Sequence, residues 1–289
     1  MDNADSFINA KTTIYGILGH PLSHTLSPIM QNSWFQNQNI NSVYLTFDII
    51  PNKLEKAIEG FKTLKIQGLN VTLPHKRAIM RFLDEVDPLA KKIGAVNTLK
   101  FEDKELKAIN TDALGAKKAL EEVGFSLSEK NLLILGAGGA SRALICAFSE
   151  ELNKIIIANR TLLNGIELVK DLRNVIKPSI DAIPLKFKPL EQELPNIDIL
   201  INTTPVGMYP NIKKSPISSD LLYEDLFVFD IVYNPLETQL IKDAKKKGCR
   251  TLGGLDMLIN QGAIAFEWWT GIFPNINVMK EKLKRHLEM

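Results

Sequence analysis

Residues 131–143, NLLILGAGGASRA, constrain the fold of this chain more than any other stretch. Four apolar residues, Leu132 to Leu135, run directly into Gly136, Gly138 and Gly139, and Ser141-Arg142-Ala143-Leu144 then reads as helix. A buried parallel strand that feeds a glycine turn and a helix N-terminus suits a dinucleotide pyrophosphate. Glycines let the backbone approach the phosphates, and the free N–H groups at the positive end of the helix dipole face the anion. The third glycine of G-x-G-x-x-G falls on Ser141, so by itself the stretch serves equally as an ordinary tight strand-to-helix turn.

A length of 289 residues gives room for two domains, and 45% hydrophobic content fills two cores. A net charge of +2 implies neither a polyanion-binding surface nor an acidic, disordered chain, so no nucleic-acid partner is expected. The basic runs at 242–250 and 280–286 lie in helical patterns and read as solvated helix faces. Cys146 and Cys249 stand alone, which suits a reducing compartment without disulfides. No apolar run is long enough for a membrane span, and the first twelve residues lack the basic start and apolar core of a leader. A cytoplasmic protein with no membrane partner is expected, and a homodimer stays open.

Residues 13–18 (TIYGIL) read as a first strand, and after GHPLSHTLSP a helix is expected from about Ile29. Pro28 suits its first position and Ser27 its N-cap. Thr25 and Ser27 thereby place two hydroxyls at a helix entrance, where a carboxylate can be held, although capping alone needs only Ser27. His20 and His24 are not expected to bind metal, because a proline intervenes and no carboxylate or cysteine stands nearby in sequence. Residues 43–49 alternate as a second strand, and 52–63 place Leu54, Ala57, Ile58 and Phe61 at helical spacing. Residues 66–73 give a third strand that ends in NVTLPHK, with Asn70 and Thr72 on one face. Lys76 follows at the strand's end, where open α/β sheets bind ligands, yet on local grounds a plain surface lysine is the better account. Asp87-Pro88 opens a helix, 93–99 (IGAVNTL) read as a strand interrupted by Asn97, and Asp112 reads as the N-cap of the next helix.

From Asn131 the pattern is strand, helix, strand. The strand at 154–158 ends in Asn159-Arg160-Thr161. A NAD site carries an acid there, about 20 residues beyond the first glycine, to bond the ribose 2′-hydroxyl. Arg160 stands in its place, and a guanidinium complements a 2′-phosphate, which points to NADP. Residues 197–208 (IDILINTTPVGM) and 226–235 (LFVFDIVYNP) are further buried strands running into loops, giving a mostly parallel sheet of about five or six strands. Residues 213–219 read as an exposed loop. Beyond Gly254 the chain is helical, with Leu258, Ala265, Phe266, Trp268 and Trp269 as packing surface around Gln261, which locally reads as a bonded core polar group.

The motifs GHPLSHTLSP, NVTLPHK, GAVNTL, NTDALG, GAGGASRA, NRT, NTTPVGM, DIVYNP and GGLDMLINQGA, in that order, resemble the shikimate dehydrogenase family over nearly the whole chain. The resemblance implies an α/β protein of two domains with the active site in the cleft between. One is an N-terminal α/β substrate domain, residues 1–111 plus the returning C-terminal helices 255–289; the other is a Rossmann-like NADP-binding domain, residues 112–254. Carried over residue by residue, it puts Thr25 and Ser27 at the substrate carboxylate, with Tyr233 near it. Thr72, Asn97 and Gln261 would bond the ring hydroxyls, and Lys76 and Asp112 would be the catalytic pair, with Asp112 also touching a substrate hydroxyl. NADP would fall to Gly136, Ala137, Gly138, Gly139, Ala140, Asn159, Arg160, Thr161, Thr203, Met208, Ile231 and Gly254.

The implied activity is a reversible, NADPH-dependent reduction of 3-dehydroshikimate to shikimate in aromatic amino acid biosynthesis. Reducing a ketone creates an oxyanion, which an ammonium can stabilise and protonate while a carboxylate orients it. Three departures stand out. Thr25 replaces the family's usual serine and narrows the carboxylate end of the pocket; Leu162, Leu163 and Asn164 follow NRT where a second basic residue is common; and Ala113 replaces the glycine of NTDG. The first two leave open a quinate/shikimate dehydrogenase using NAD, and, since fold does not fix function, a non-catalytic nucleotide-binding relative is a further alternative.

Overall fold

The computed structural model describes residues 8–23, 25–102 and 105–288, so His24 and the first seven residues, on which two of the expectations above fall, lie outside the described residues. The chain divides into two compact units. One runs to Thr111 and takes in Gln261–Leu283, and the other comprises Asp112–Asn260 with the residues from Lys284 on.

The first unit alternates β1 (Thr13–Gly19), α1 (Ser27–Asn37), β2 (Ser42–Asp48), α2 (Leu54–Thr63) and β3 (Gly68–Val71). The single turn α3 (His75–Ala78), β4 (Glu85–Val86), α4 (Pro88–Ile93), β5 (Thr98–Glu102) and β6 (Glu105–Ile109) follow. The sheet order is β2-β1-β3-β5-β6-β4, parallel except where β5 pairs with β3 and β6. Leu54, Ile58 and Phe61 recur on one face of α2 and bury against a cluster that includes Leu18, Leu69, Val71 and Leu99. Each such side chain stabilises the fold by about 1.5–3 kcal/mol relative to exposure.

The second unit opens with α5 (Thr111–Glu122), which the boundary enters at its first residue, and continues through β7 (Asn131–Leu135), α6 (Gly139–Phe148), β8 (Lys154–Asn159) and α7 (Leu162–Leu172). Then come β9 (Ser179–Pro184), α8 (Phe187–Glu193), β10 (Ile199–Asn202), β11 (Phe227–Asp230), α9 (Gln239–Lys246) and β12 (Arg250–Gly253). Leu132 to Leu135 and Ile199 to Ile201 are all fully buried, as expected of strands covered on both faces. All six strands are parallel in the order β12-β11-β10-β7-β8-β9. This is a doubly wound sheet whose order reverses between β7 and β10, the switch point where such sheets bind ligands.

Two C-terminal helices, α10 (Gly254–Thr270) and α11 (Ile276–Glu288), end the chain. Phe266 of α10 packs edge-on to Trp34 of α1 and within 5.1 Å of Phe35, and Trp269 donates its indole N–H to Leu99 O at 2.8 Å. Among the described residues no helix is long and apolar enough to cross a membrane.

Several local expectations are corrected. The first helix begins at Ser27 rather than near Ile29, and Leu26 holds the cap position without a side-chain bond. Thr25 Oγ1 accepts the Ser27 N–H instead, at 3.3 Å. Residues 93–99 are not one strand: Ile93 closes α4, Gly94 turns the chain, and β5 starts only at Thr98. Asp112 is not an N-cap but sits in the first turn of α5, because Asn97 Oδ1 takes the Thr111 N–H at 2.7 Å. The basic run at 242–250 leaves its helix at Lys246, and Arg250 opens β12.

Candidate active site

A polar network runs through the interior of the first unit. Tyr44, 1% exposed, donates to Asn70 Oδ1 at 2.7 Å. The Asn70 amide donates to Thr98 Oγ1 at 3.0 Å and to Asn97 O at 3.3 Å. Asn97 Oδ1 accepts from Thr98 and Thr111, and Asn97 Nδ2 donates back to Thr111 Oγ1 at 3.0 Å. Thr111 Oγ1 also lies 3.5 Å from Gln261 Oε1. Two of the predicted substrate residues, Asn97 and Gln261, are thereby linked through one hydroxyl. Burial drives the Tyr44 phenol well above its usual range, partly offset by a hydrogen bond from the Ser27 hydroxyl. Thr25 donates to Ser27 Oγ at 3.3 Å, so both predicted carboxylate-binding hydroxyls stand together at the start of α1. Tyr44, Thr98 and Thr111 are members of this network that sequence reasoning missed; nothing in their own strands or helix sets them apart.

Thr72, Leu73, Pro74 and Lys76 lie just past β3. The Thr72 side chain is half-buried and its hydroxyl bonds no described residue, which leaves it available to a ligand. The Lys76 carbonyl accepts the Val96 N–H at 3.0 Å, tying this loop to the one that carries Asn97. A carboxylate distant in sequence does stand beside His20 in space, since its Nδ1 is 2.5 Å from Asp48 Oδ1. Among the described residues, however, no group of three or more His, Cys, Asp or Glu can hold a metal.

In the second unit the glycine turn joins β7 to α6. Gly136 has φ +106, a conformation that favours glycine, and a Cβ there would also press on Thr203 Oγ1 at 2.9 Å. A Cβ at Gly138 or Gly139 would meet nothing within 4 Å, so the turn presents an open face flanking Ala137 and Ala140. No acid stands in the first turn of α6 or of α7. These features fit a pyrophosphate, which needs close backbone approach and an uncompensated positive helix end. Thr203 follows β10 across the switch point, with its hydroxyl on Leu135 O at 2.6 Å.

After β8, the Asn159 amide donates to Thr161 O at 2.8 Å and closes the turn from which Arg160 projects. Arg160 is exposed and makes no salt bridge with any described residue, as a guanidinium kept for a ligand phosphate requires. Met208 is 44% exposed on the loop beyond β10. Past β11, Ile231 and Tyr233 are half-buried, and burial raises the Tyr233 phenol above 10.0. Gly254 packs against the Ile231 carbonyl so closely that a Cβ would overlap it. Lys76 lies in the first unit, whereas Asp112 and Tyr233 lie in the second.

Residues 17–99 match the shikimate dehydrogenase substrate binding domain, 116–237 the shikimate/quinate 5-dehydrogenase family, and 254–284 the shikimate 5′-dehydrogenase C-terminal domain. The NADP(+) shikimate dehydrogenase of Methanocaldococcus jannaschii is 48% identical over 277 residues, 96% of this chain and 98% of that protein. A shikimate dehydrogenase crystallised with NADP+ is 46% identical with a TM-score of 0.89, covering 97% of both chains. The Listeria monocytogenes enzyme, crystallised with shikimate and NAD, is 34% identical with a TM-score of 0.91, covering 96% of this chain and 98% of that one.

Proposed function

The chain belongs to the shikimate dehydrogenase family, and on that premise we propose that it interconverts 3-dehydroshikimate and shikimate as an NADP-dependent oxidoreductase of aromatic amino acid biosynthesis. Bound NADPH supplies the hydride, and binding, orientation and proton delivery fall to the chain's own side chains. Lys76 donates a proton to the carbonyl oxygen as it becomes an alkoxide, and takes one back in the reverse direction. Asp112 orients that ammonium and accepts a bond from a neighbouring hydroxyl. Thr25 and Ser27, with Tyr233, hold the carboxylate, while Thr72, Asn97 and Gln261 read the ring hydroxyls.

The observation that carries the reading is the buried network joining Asn97 to Gln261 through Thr111, one peptide bond from Asp112. Several fixed donors and acceptors at one place suit a small polyhydroxylated ring, because each group left unpaired on binding the wrong ligand costs about 1–3 kcal/mol. Gly136 to Ala140, Asn159, Arg160 and Thr161 hold the phosphates and ribose of NADP, and Thr203, Met208, Ile231 and Gly254 border the rest of the cofactor. Cys146 and Cys249 are buried and form no disulfide, which supports a cytoplasmic setting.

A second reading, a quinate/shikimate dehydrogenase using NAD, draws on Thr25 and on Leu163, which is 68% exposed where a second basic residue would favour NADP. Comparing kcat/KM for shikimate and quinate, each with NADP+ and NAD+, decides between them. The proposal expects the highest value for shikimate with NADP+. A highest value for quinate with NAD+ would reverse it, and NADPH binding without turnover of dehydroshikimate would point to a sensor.

A further inference from the structure

The loop that carries Lys76 is fastened to the ends of neighbouring strands. Thr72 donates its N–H to Leu18 O at 2.8 Å, and His20 donates its own to Leu73 O at 3.0 Å. Ile49, just past β2, donates to Gly19 O at 2.9 Å, and its carbonyl receives the His75 side chain, with Nε2 at 2.6 Å. A carbonyl oxygen can only accept, so Nε2 carries the hydrogen. His75 is 1% exposed, whereas Leu73 two residues earlier is 73% exposed. The side-chain link from His20 to Asp48 is about half exposed at both ends and holds little.

The helical turn itself cannot hold Lys76 in place. Its α-helical part spans four residues, His75–Ala78, with no side-chain cap bond from Pro74, and it runs on as a 3-10 turn to Phe82 that buried Ile79 anchors from the far side of Lys76. So short a helical stretch is marginal on its own, so its direction depends on tertiary anchors, and on the side that precedes Lys76 the buried one is His75. We propose that His75 is a positioning residue for Lys76: its Nε2–H bond to Ile49 O pins this turn to the end of β2 and sets the direction from which the ammonium reaches the reacting oxygen. The inference rests on the reading of Lys76 as proton donor.

The test compares wild type, His75→Phe, His75→Gln and Lys76→Ala by steady-state kinetics with shikimate and NADP+. His75→Phe fills the same space without the donor and is expected to lower kcat roughly ten- to hundredfold, the scale of a small misplacement, with KM for NADP+ within about twofold. Glutamine places an N–H at the same number of bonds from Cβ, so His75→Gln recovers most of kcat. A His75→Phe enzyme within about twofold of wild-type kcat overturns the inference. So does a His75→Gln enzyme as slow as a folded His75→Phe. Near-normal turnover by Lys76→Ala would instead overturn the reading beneath it. Nitrogen NMR of the histidine-labelled wild-type protein, assigned with His75→Gln, supplies a check independent of whether His75→Phe folds. The Nε2–H form is expected at neutral pH, and an Nδ1–H tautomer with bare Nε2 overturns the inference.

Discussion

Ser141 lies 2.8 Å from the Gly136 carbonyl, to which its hydroxyl donates, and 2.6 Å from Thr203 Oγ1. It is fully buried at the position where G-x-G-x-x-G has its third glycine. Its hydroxyl braces the turn from inside and joins the end of β7 to the loop after β10. Ser141→Gly, which completes the motif in sequence, therefore weakens the protein by about 1–3 kcal/mol through the lost bonds and the added backbone freedom. Thermal unfolding without ligand checks this, and a variant that unfolds at or above the wild-type temperature would contradict it.

Arg160→Ala is expected to raise KM for NADP+ far more than for NAD+. Loss of one charge-assisted contact is worth roughly 1.5–3 kcal/mol, or about ten- to hundredfold. Parallel saturation curves for the two cofactors measure it. Equal changes in both would mean that Arg160 does not read the 2′-phosphate.

Much of this was legible in the sequence, for physical reasons. Leu132 to Leu135 and Ile199 to Ile201 are apolar on both faces, so strands buried on both sides announce themselves. In contrast, β9 (SIDAIP) and β12 (RTLG) are short and partly polar, and nothing local separates them from loop. Ser27 and Asp112 are good capping residues by type, but Thr25 and Asn97 supply the bonds to the helix starts. The candidate site shows the same limit. Hydroxyls such as Thr98 and Thr111 gain their place in the network largely from distant partners, as in the contact between the two of them, 13 residues apart in sequence.

Gly254 is held by packing as well as by any role toward a cofactor. A methyl group there would overlap the Ile231 carbonyl, and backbone cannot move aside as a flexible side chain can. Gly254→Ala should cost about 1–3 kcal/mol or more, read as a lower urea midpoint without ligand. An unchanged midpoint would show that the two segments can separate freely.

Asp230 is fully buried and accepts from Thr238 Oγ1, Asn202 Nδ2 and Val232 N at 2.6, 2.9 and 3.1 Å. Burial raises its pKa above the usual 3.8, and those hydrogen bonds pull it back only in part. The folded state thus binds this proton more tightly than the unfolded chain. The resulting stabilisation is fully present below the unfolded pKa and is lost as pH rises through the folded one. Asp230→Asn removes the titration, so its urea midpoint relative to wild type should move in wild type's favour as pH falls from about 7 toward 4. Paired denaturation series test this, and the opposite trend would contradict it.

In the proposed reaction Lys76 handles the proton while the hydride comes from NADPH. The most direct measurement is steady-state reduction of 3-dehydroshikimate by purified Lys76→Ala whose fold and NADPH affinity match wild type. A kcat lower by roughly a hundredfold or more is expected, as when a general acid is removed. Near-normal turnover by that folded variant would contradict it.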